Sequence, residues 1–421
     1  MKGYEETLRY LAGLEKFGAV FGLENIEWIL NLLNNPHRRI KTVHVAGTNG
    51  KGSVASMLSR MLLEGGYKVG KYTSPHLVSF TERISVNEVE IREEEVADIA
   101  NWLRNKVRET DEEKFFTYFD FTTALAFEFF FERQTDICVI ETGLGGRLDS
   151  TNAVLPLVSI ITNVDYDHMD CLGNEIFDIA REKAGIIKSG VPVVTGAYGL
   201  VLRVIEEEAR NKGSAVFALG KDFRCSKESD QCMTYESLNK RFKNIFVNLK
   251  GDHQLRNGAL ALAATECLTL SGFCLNEKDV RAGLSNVEWP GRLEVVKSRP
   301  TVLFDGAHNV HGARALKDYL RSHYSGKKKI LVFGVMRDKA YEEILNEILP
   351  LFDIVILTRP HVERALSPFC LQDYVKGARI IESVKDALAE AQSAAGDEDL
   401  IVVTGSMYTI GEARSIIGGS I

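Results

Sequence analysis

Basic charge is not in excess in this sequence. Its 51 lysines and arginines are outnumbered by 58 aspartates and glutamates, for a formal net charge of −7. That excludes a global pull toward nucleic acid, so an anionic ligand must be held by local basic groups. No apolar run reaches the ~20 residues that a membrane helix needs. Met1 to Tyr10 is polar, so neither a signal peptide nor a membrane anchor is expected. The seven cysteines (138, 171, 225, 232, 267, 274 and 370) include no Cys-x-x-Cys pair. An odd, scattered set of thiols fits a reducing compartment, and a cytoplasmic protein is expected. Internal repeats and low-complexity tracts are missing too, as is any Ser-His-Asp or thiol-centred arrangement. What remains is an ordinary composition, 45% hydrophobic and 26% charged, over 421 residues. That length implies two domains, each able to bury a core.

The chain is organised around His44-Val45-Ala46-Gly47-Thr48-Asn49-Gly50-Lys51-Gly52-Ser53. Ile40 to Val45 reads as a β-branched strand, and Ser53 to Leu63 as a helix with Val54, Met57, Leu58, Met61 and Leu62 at helical spacing. A glycine-rich turn with a lysine between strand and helix is how a chain wraps a triphosphate. Backbone N–H groups approach the phosphates, and the positive end of the helix faces their charge. The spelling departs from the usual phosphate loop: Val45 stands where the first glycine belongs, and Gly52 is inserted between Lys51 and Ser53.

Further polar clusters follow apolar runs. Lys68 to Tyr72 reads as a strand leading into Thr73-Ser74-Pro75-His76-Leu77, where Ser74 is either a metal or phosphate ligand or a turn serine. Glu93 to Arg108 reads as an amphipathic helix, and Phe119 to Phe131 as a buried one whose Thr122 and Thr123 need partners. Asp136 to Ile140 is a buried parallel strand ending at Glu141, an acidic strand-tip residue and candidate Mg²⁺ ligand. Leu157 to Thr162 is another, ending in Asp165, Asp167, His168 and Asp170, which suit a metal site or a hydrophilic loop equally. Ile176 to Ile187 is a helix carrying Lys183, and 212–246 reads as polar and irregular. Asn257, ahead of a helix at 258–270, can bond an adenine edge or cap the helix.

Trp289-Pro290-Gly291-Arg292 marks a boundary, giving domains 1–294 and 295–421. After it, strands at 301–305, 329–334, 353–357 and 400–404 alternate with helices at 311–322, 340–349, 384–394 and 407–416. The fold class expected is α/β: an N-terminal P-loop-type ATPase domain with a mainly parallel sheet, then a C-terminal Rossmann-like α/β domain. Asp305-Gly306-Ala307-His308-Asn309 is the polar loop after the first strand of the second domain. One nucleotide loop beside a second α/β domain points to ATP chemistry in the cleft between them.

The chain resembles the folylpolyglutamate synthase/dihydrofolate synthase family of Mur-type ADP-forming amide ligases. The matching pieces are 47–53, 73–77, Glu141 to Asn152, Asp167-His168, Glu182 to Lys188, 289–292 and 305–309, in the family's order. The resemblance implies that ATP converts a carboxylate into an acyl phosphate, which the amine of L-glutamate attacks, the acceptor being a reduced folate or dihydropteroate. It implies that Asn49, Gly50, Lys51, Gly52 and Ser53 cradle the phosphates. It places one Mg²⁺ at Ser74 and Glu141 and a second at His168, with a carbamate on Lys183. Asn257, Arg292 and Asp305 would contact the nucleotide, and His308 would lie nearby. Lys51, Lys183, His168 and His308 are the catalytic set so implied. The segment 17–23, the loop 74–84 and Phe121-Thr122-Thr123-Ala124 would frame the pterin. Some bifunctional members carry an aspartate in the first of these, which this chain lacks, whereas its Gly-Gly-Arg-Leu-Asp at 145–149 is spelled as in those members. A monomer is expected, without nucleic acid or membrane partners. Two alternatives stand beside this reading. A cell-wall-precursor amino-acid ligase would need a nucleotide-sugar domain ahead of the loop, where only 46 residues precede Gly47. A nucleotide-gated binding protein would need no acceptor cleft.

Overall fold

The computed structural model describes residues 3–15, 22–111 and 114–418. Three sheets organise them. The largest has eight strands in the order Val89–Glu90, Ile84–Val86, Val69–Tyr72, Ile137–Glu141, Thr42–Ala46, Val158–Ile161, Val193–Thr195, Val216–Ala218. From Val69–Tyr72 onward every neighbouring pair is parallel, and the first two strands form an antiparallel edge. The period-2 alternation of a strand divides its side chains between two cores. Ile137 and Val139 face one core, Cys138 and Ile140 the other. The first core takes helices Lys51–Glu64, Asp252–Thr269 and Glu277–Asn286, and the second takes Tyr4–Glu15, Glu24–Leu32, Glu93–Thr110 and Tyr118–Glu132. Both faces being covered, the central strands can be apolar throughout, as their sequences are.

Helix Tyr118–Glu132 starts where a reciprocal cap fixes it: Asp120 N donates to Thr117 Oγ1 (3.0 Å) and Thr117 N to Asp120 Oδ2 (3.1 Å). The two threonines inside it do find a partner, since Tyr72 Oη lies 3.2 Å from Thr122 Oγ1 and 3.3 Å from Thr123 Oγ1.

The stretch 212–246 is not irregular. Val216–Ala218 joins the large sheet, and Phe223–Ser229, Cys232–Ser237 and Arg241–Phe246 form an antiparallel three-stranded sheet over the first core. The following helix begins at Asp252 rather than 258, so Asn257 sits in its second turn and cannot be its cap.

The third sheet has six strands in the order Glu294–Ser298, Thr301–Phe304, Leu400–Thr404, Lys329–Phe333, Ile354–Arg359, Arg379–Ser383, parallel except for the first. Helices Val310–His323, Tyr341–Ile348, Val384–Ala394 and Met407–Gly418 cover it, as the sequence pattern predicts. The edge strands Glu294–Ser298 and Arg379–Ser383 are additions to that pattern, and the helix Glu277–Asn286 is an addition to the first half. Among the described residues no helix is long and apolar enough to cross a membrane.

Candidate active site

Strand Thr42–Ala46 is buried along its whole length. Its register sets Val45 beside Glu141 and Ala46 beside Ile161. The loop that follows is therefore bracketed by the ends of two neighbouring strands. Thr48 N donates to Asn163 O (3.1 Å), Asn49 N to Asn163 Oδ1 (2.8 Å), and Thr162 Oγ1 donates to Asn49 O (2.6 Å). Gly50 turns the chain into helix Lys51–Glu64 with φ +82°, a left-handed conformation that suits glycine. Lys51 Nζ folds back onto Gly47 O at 3.0 Å. The unusual extra glycine has a steric reason. A Cβ built on Gly52 would lie 2.5 Å from the indole of Trp289, which packs on the loop one residue before the linker proline.

Glu141 closes strand Ile137–Glu141 and is 4% exposed. Ser74 N donates to its Oε2 at 3.2 Å, which puts the two predicted metal ligands side by side. Burial pushes the Glu141 carboxyl above its usual range, against the opposing charge of Lys51 and the Ser74 hydrogen bond. Among the described residues no group of three His, Cys, Asp or Glu side chains is placed to hold a metal, so the aspartates of 165–170 do not form a cluster of their own.

Asp167 instead binds across the two halves. Lys339 Nζ is 2.7 Å from its Oδ1, Asn309 Nδ2 donates to Oδ2 at 3.1 Å, and His308 Nε2 lies 3.6 Å away. Burial opposes ionisation of Asp167, but the hydrogen bond and charge of His308, with His168 and Lys339, outweigh it and hold the carboxyl well below the usual range. Lys339 Nζ also reaches His168 Nε2 at 3.2 Å. His168 is lowered to about 4, first by burial and then by the Lys339 and Lys51 charges, with Asp167 opposing. A neutral imidazole accepting from an ammonium is the consistent protonation state.

Lys183 is not an exposed helix lysine. It is 3% exposed on helix Ile176–Ala184 and its amine makes no hydrogen bond among the described residues. Burial, with the Lys51 charge adding, lowers it to about 7. From the second half, Asp305 accepts from Leu293 N and Ala307 N, each at 3.0 Å, bracing the linker beside Arg292. His308 Nδ1 pairs with Gly306 O at 2.8 Å. Asn257 Nδ2 donates to Gln254 Oε1 (2.9 Å), and Gln254 Nε2 to Ser53 Oγ (3.3 Å).

The thirteen residues that the resemblance assigns to catalysis, nucleotide or metal line one cavity of about 370 Å³: Asn49, Gly50, Lys51, Gly52, Ser53, Ser74, Glu141, His168, Lys183, Asn257, Arg292, Asp305 and His308; Asp165 and Asp170 do not line it. It lies between the eight-stranded and six-stranded sheets and falls in the size range of small-molecule sites. Phe121-Thr122-Thr123-Ala124 does not line it; those residues are buried in the second core. The loop 74–84 does reach it, through Ser74 and Pro75, while Leu77 O would meet a Cβ on Gly411 at 2.0 Å. Of the segment 17–23 predicted to frame the pterin, residues 17–21 lie outside the described residues. Asp167 was singled out as a candidate metal ligand but pairs with Lys339 and Asn309, and neither of these two was singled out as a ligand. The polar contacts of Asp167, Asn309 and Lys339 join positions 142 to 260 residues apart, and spacing along a sequence carries no signal for that.

The comparison with known proteins follows the same division. The Mur ligase middle domain matches residues 45–265, and the Mur ligase, glutamate ligase domain matches 291–407. Dihydrofolate synthase/folylpolyglutamate synthase of Bacillus subtilis is 34% identical over 422 residues, covering 98% of each chain. The chain belongs to the folylpolyglutamate synthase/dihydrofolate synthase family. Two solved members of it superpose over nearly the whole length. E. coli FolC in complex with DHPP and ADP is 30% identical with a TM-score of 0.91 and covers 98% of each chain. Mycobacterium tuberculosis folylpolyglutamate synthase complexed with ADP and AMPPCP is 31% identical with a TM-score of 0.89 and covers 99% of each. The match to this family runs from end to end, which favours it over the cell-wall ligase alternative.

The donor sets differ in how well they fit the groups the family implies. Mg²⁺ keeps most of its waters and takes one or two carboxylates plus substrate phosphates. The Ser74–Glu141 pair beside the phosphate loop fits that, because an ion there would restore the charge that burial disfavours on Glu141. At His168, Nε2 faces the Lys339 ammonium, so a second ion fits only with Lys339 withdrawn. A carbamate fits Lys183, whose buried amine is unbonded and close to neutral.

Proposed function

We propose that this chain joins L-glutamate to the carboxylate of a reduced folate or a dihydropteroate, consuming ATP and releasing ADP and phosphate. The observation that carries this reading is the shared cavity: thirteen residues from separate motifs, contributed by both halves, face one space. The chain divides into 1–294, which binds the nucleotide, and 295–421; the six-stranded sheet opening at Glu294 supports a boundary there. Seven free thiols support a cytoplasmic setting.

Phosphoryl transfer is chiefly positioning and charge neutralisation. The loop amides and Lys51, turned from Gly47 O, receive the phosphates. Ser74 and Glu141 would hold Mg²⁺, which would supply positive charge to neutralise the phosphates. Arg292, on the linker that Asp305 braces from the second half, faces the nucleotide. The acceptor carboxylate attacks the γ-phosphorus, the bond to the ADP oxygen breaks, and an acyl phosphate forms. The glutamate amine then adds to the acyl carbon, phosphate departs, and the nitrogen loses its proton. At Lys183 the neutral amine adds CO₂, forming an N–C bond and releasing a proton, and the resulting carbamate anion can orient donors near the transferred group. Closure by Lys339, Asn309 and His308 on Asp167 keeps water from the acyl phosphate.

The test is an ADP-release assay with Mg-ATP and glutamate, comparing dihydropteroate with tetrahydrofolate as acceptor. Release that requires glutamate and one of these acceptors is expected. Release independent of both overturns the reading.

A further inference from the structure

We infer that Asn309 is a positioning residue: it turns the Asn49 amide so that its N–H₂ group serves the phosphates of bound nucleotide, and it does so only when the second half is docked. The inference rests on the nucleotide reading of the cavity given above. Asn309 is the N-cap of helix Val310–His323, and its Oδ1 accepts from Gly312 N at 2.9 Å. With the oxygen so fixed, the other end of the amide can only donate. It donates to Asn49 Oδ1 at 2.9 Å and to Asp167 Oδ2 at 3.1 Å. Both N–H bonds of this amide are then engaged, and Asn309 is 5% exposed.

The consequence falls on Asn49. Facing a donor, its amide must present oxygen, which sends Nδ2 the other way. That nitrogen is buried and has no partner, on a residue that lines the cavity between Gly47 and Lys51. A buried unmade hydrogen bond is costly, and native structures rarely leave one without a reason. The ligand chemistry that satisfies it has acceptors and no donors, as a polyphosphate does. Asn309 comes from the six-stranded unit and Asn49 from the eight-stranded one, so the donor is oriented by docking of the two. The Asp167 branch of the same amide is held separately by Lys339 and His308, so it survives the loss of Asn309.

The experiment uses Asn309→Ser, Asn49→Ala and the double variant of the full chain, with affinity for the nonhydrolysable analogue AMPPCP in Mg²⁺ measured by calorimetry. Serine keeps a capping oxygen for Gly312 N but is too short to reach Asn49, so the helix start is kept and the chain still unfolds in one cooperative thermal transition without nucleotide. Each single variant weakens the analogue on the order of tenfold, the loss of one hydrogen bond to a charged group. The double variant is no weaker than the weaker single, to within about twofold, because both act through one donor. Unchanged affinity in Asn309→Ser, or losses that multiply in the double, overturns the inference. Should serine prevent folding, Asn309→Thr, which also caps, is read in the same way. If the parent binds AMPPCP and the variants follow this pattern, yet ADP release needs neither folate nor glutamate, the ligase reading falls and this one stands. Full ligase activity with unaltered affinity in the variants leaves the ligase reading standing and overturns this one.

Discussion

Replacing Lys339 with methionine tests the contact that joins the two halves. The lysine ammonium and the Asp167 carboxylate are 2.7 Å apart, with side chains 7% and 8% exposed. Removing one member of a buried ion pair costs about 3–5 kcal/mol when the remaining charge is left uncompensated. Asp167 keeps the Asn309 amide at 3.1 Å and His308 at 3.6 Å. The expected loss is therefore at or below the bottom of that range, about 2–3 kcal/mol. Methionine has nearly the length and none of the charge, so packing is preserved and the electrostatic part is isolated. Urea denaturation gives the stability, and the cycle with Asp167→Asn gives the coupling. The double variant removes the stranded charge and recovers all but about 1 kcal/mol. Histidine titration by NMR supplies an independent reading. His168 sits at about 4, first because it is buried, with the Lys339 charge adding. Removing that charge makes protonation easier, so its pKa rises. A single variant that loses under about 0.5 kcal/mol, or a double variant as unstable as the sum of the singles, refutes the latch.

Three further outcomes follow from other contacts. Gly52→Ala sets a methyl 2.5 Å from the Trp289 ring; overpacking of about 1–3 kcal/mol is expected, measured as a lowered thermal midpoint together with weaker ATP-analogue binding. Lys183 passes from ammonium to neutral amine as pH rises through about 7, and only the neutral form adds CO₂. Activation by bicarbonate should therefore grow across that pH and vanish in Lys183→Ala, whose activity short carboxylic acids partly restore. Activity indifferent to bicarbonate on both sides of that pH counts against a carbamate. Tyr72→Phe removes the hydroxyl that Thr122 and Thr123 share; a loss of about 1–2 kcal/mol in urea denaturation is expected, with ADP release unchanged.

The phosphate loop, the strand-tip Glu141 and the alternation of the second half were legible because each is local: glycine, charge and apolar period occur within one short window. Convergence of the predicted residues on one cavity followed from parallel sheets placing their polar loops at the same strand ends. The three-stranded sheet at 223–246 was missed because one face is solvated. Arg241–Phe246 buries only Phe242 and Ile245, and Phe223–Ser229 buries Phe223 alone, so the apolar rhythm is diluted by charge. The early start of helix Asp252–Thr269 was hidden by its polar first turn, Asp252-His253-Gln254. The partners of Lys339 and Asn309 could not be found by pattern, although Asn309 stands in a motif that the sequence displays. Each looks like an ordinary loop or cap residue, and its partner in the first half is fixed only by how the halves dock.

That docking bears on how relatives can be recombined. The polar contacts at Asn49 and Asp167 are completed by Asn309 and Lys339 from beyond the linker. A chimera that exchanges the segment after residue 294 between family members must carry these four positions as a matched group. Otherwise it inherits two well-formed halves whose shared surface ends in an unanswered carboxylate and a misturned amide.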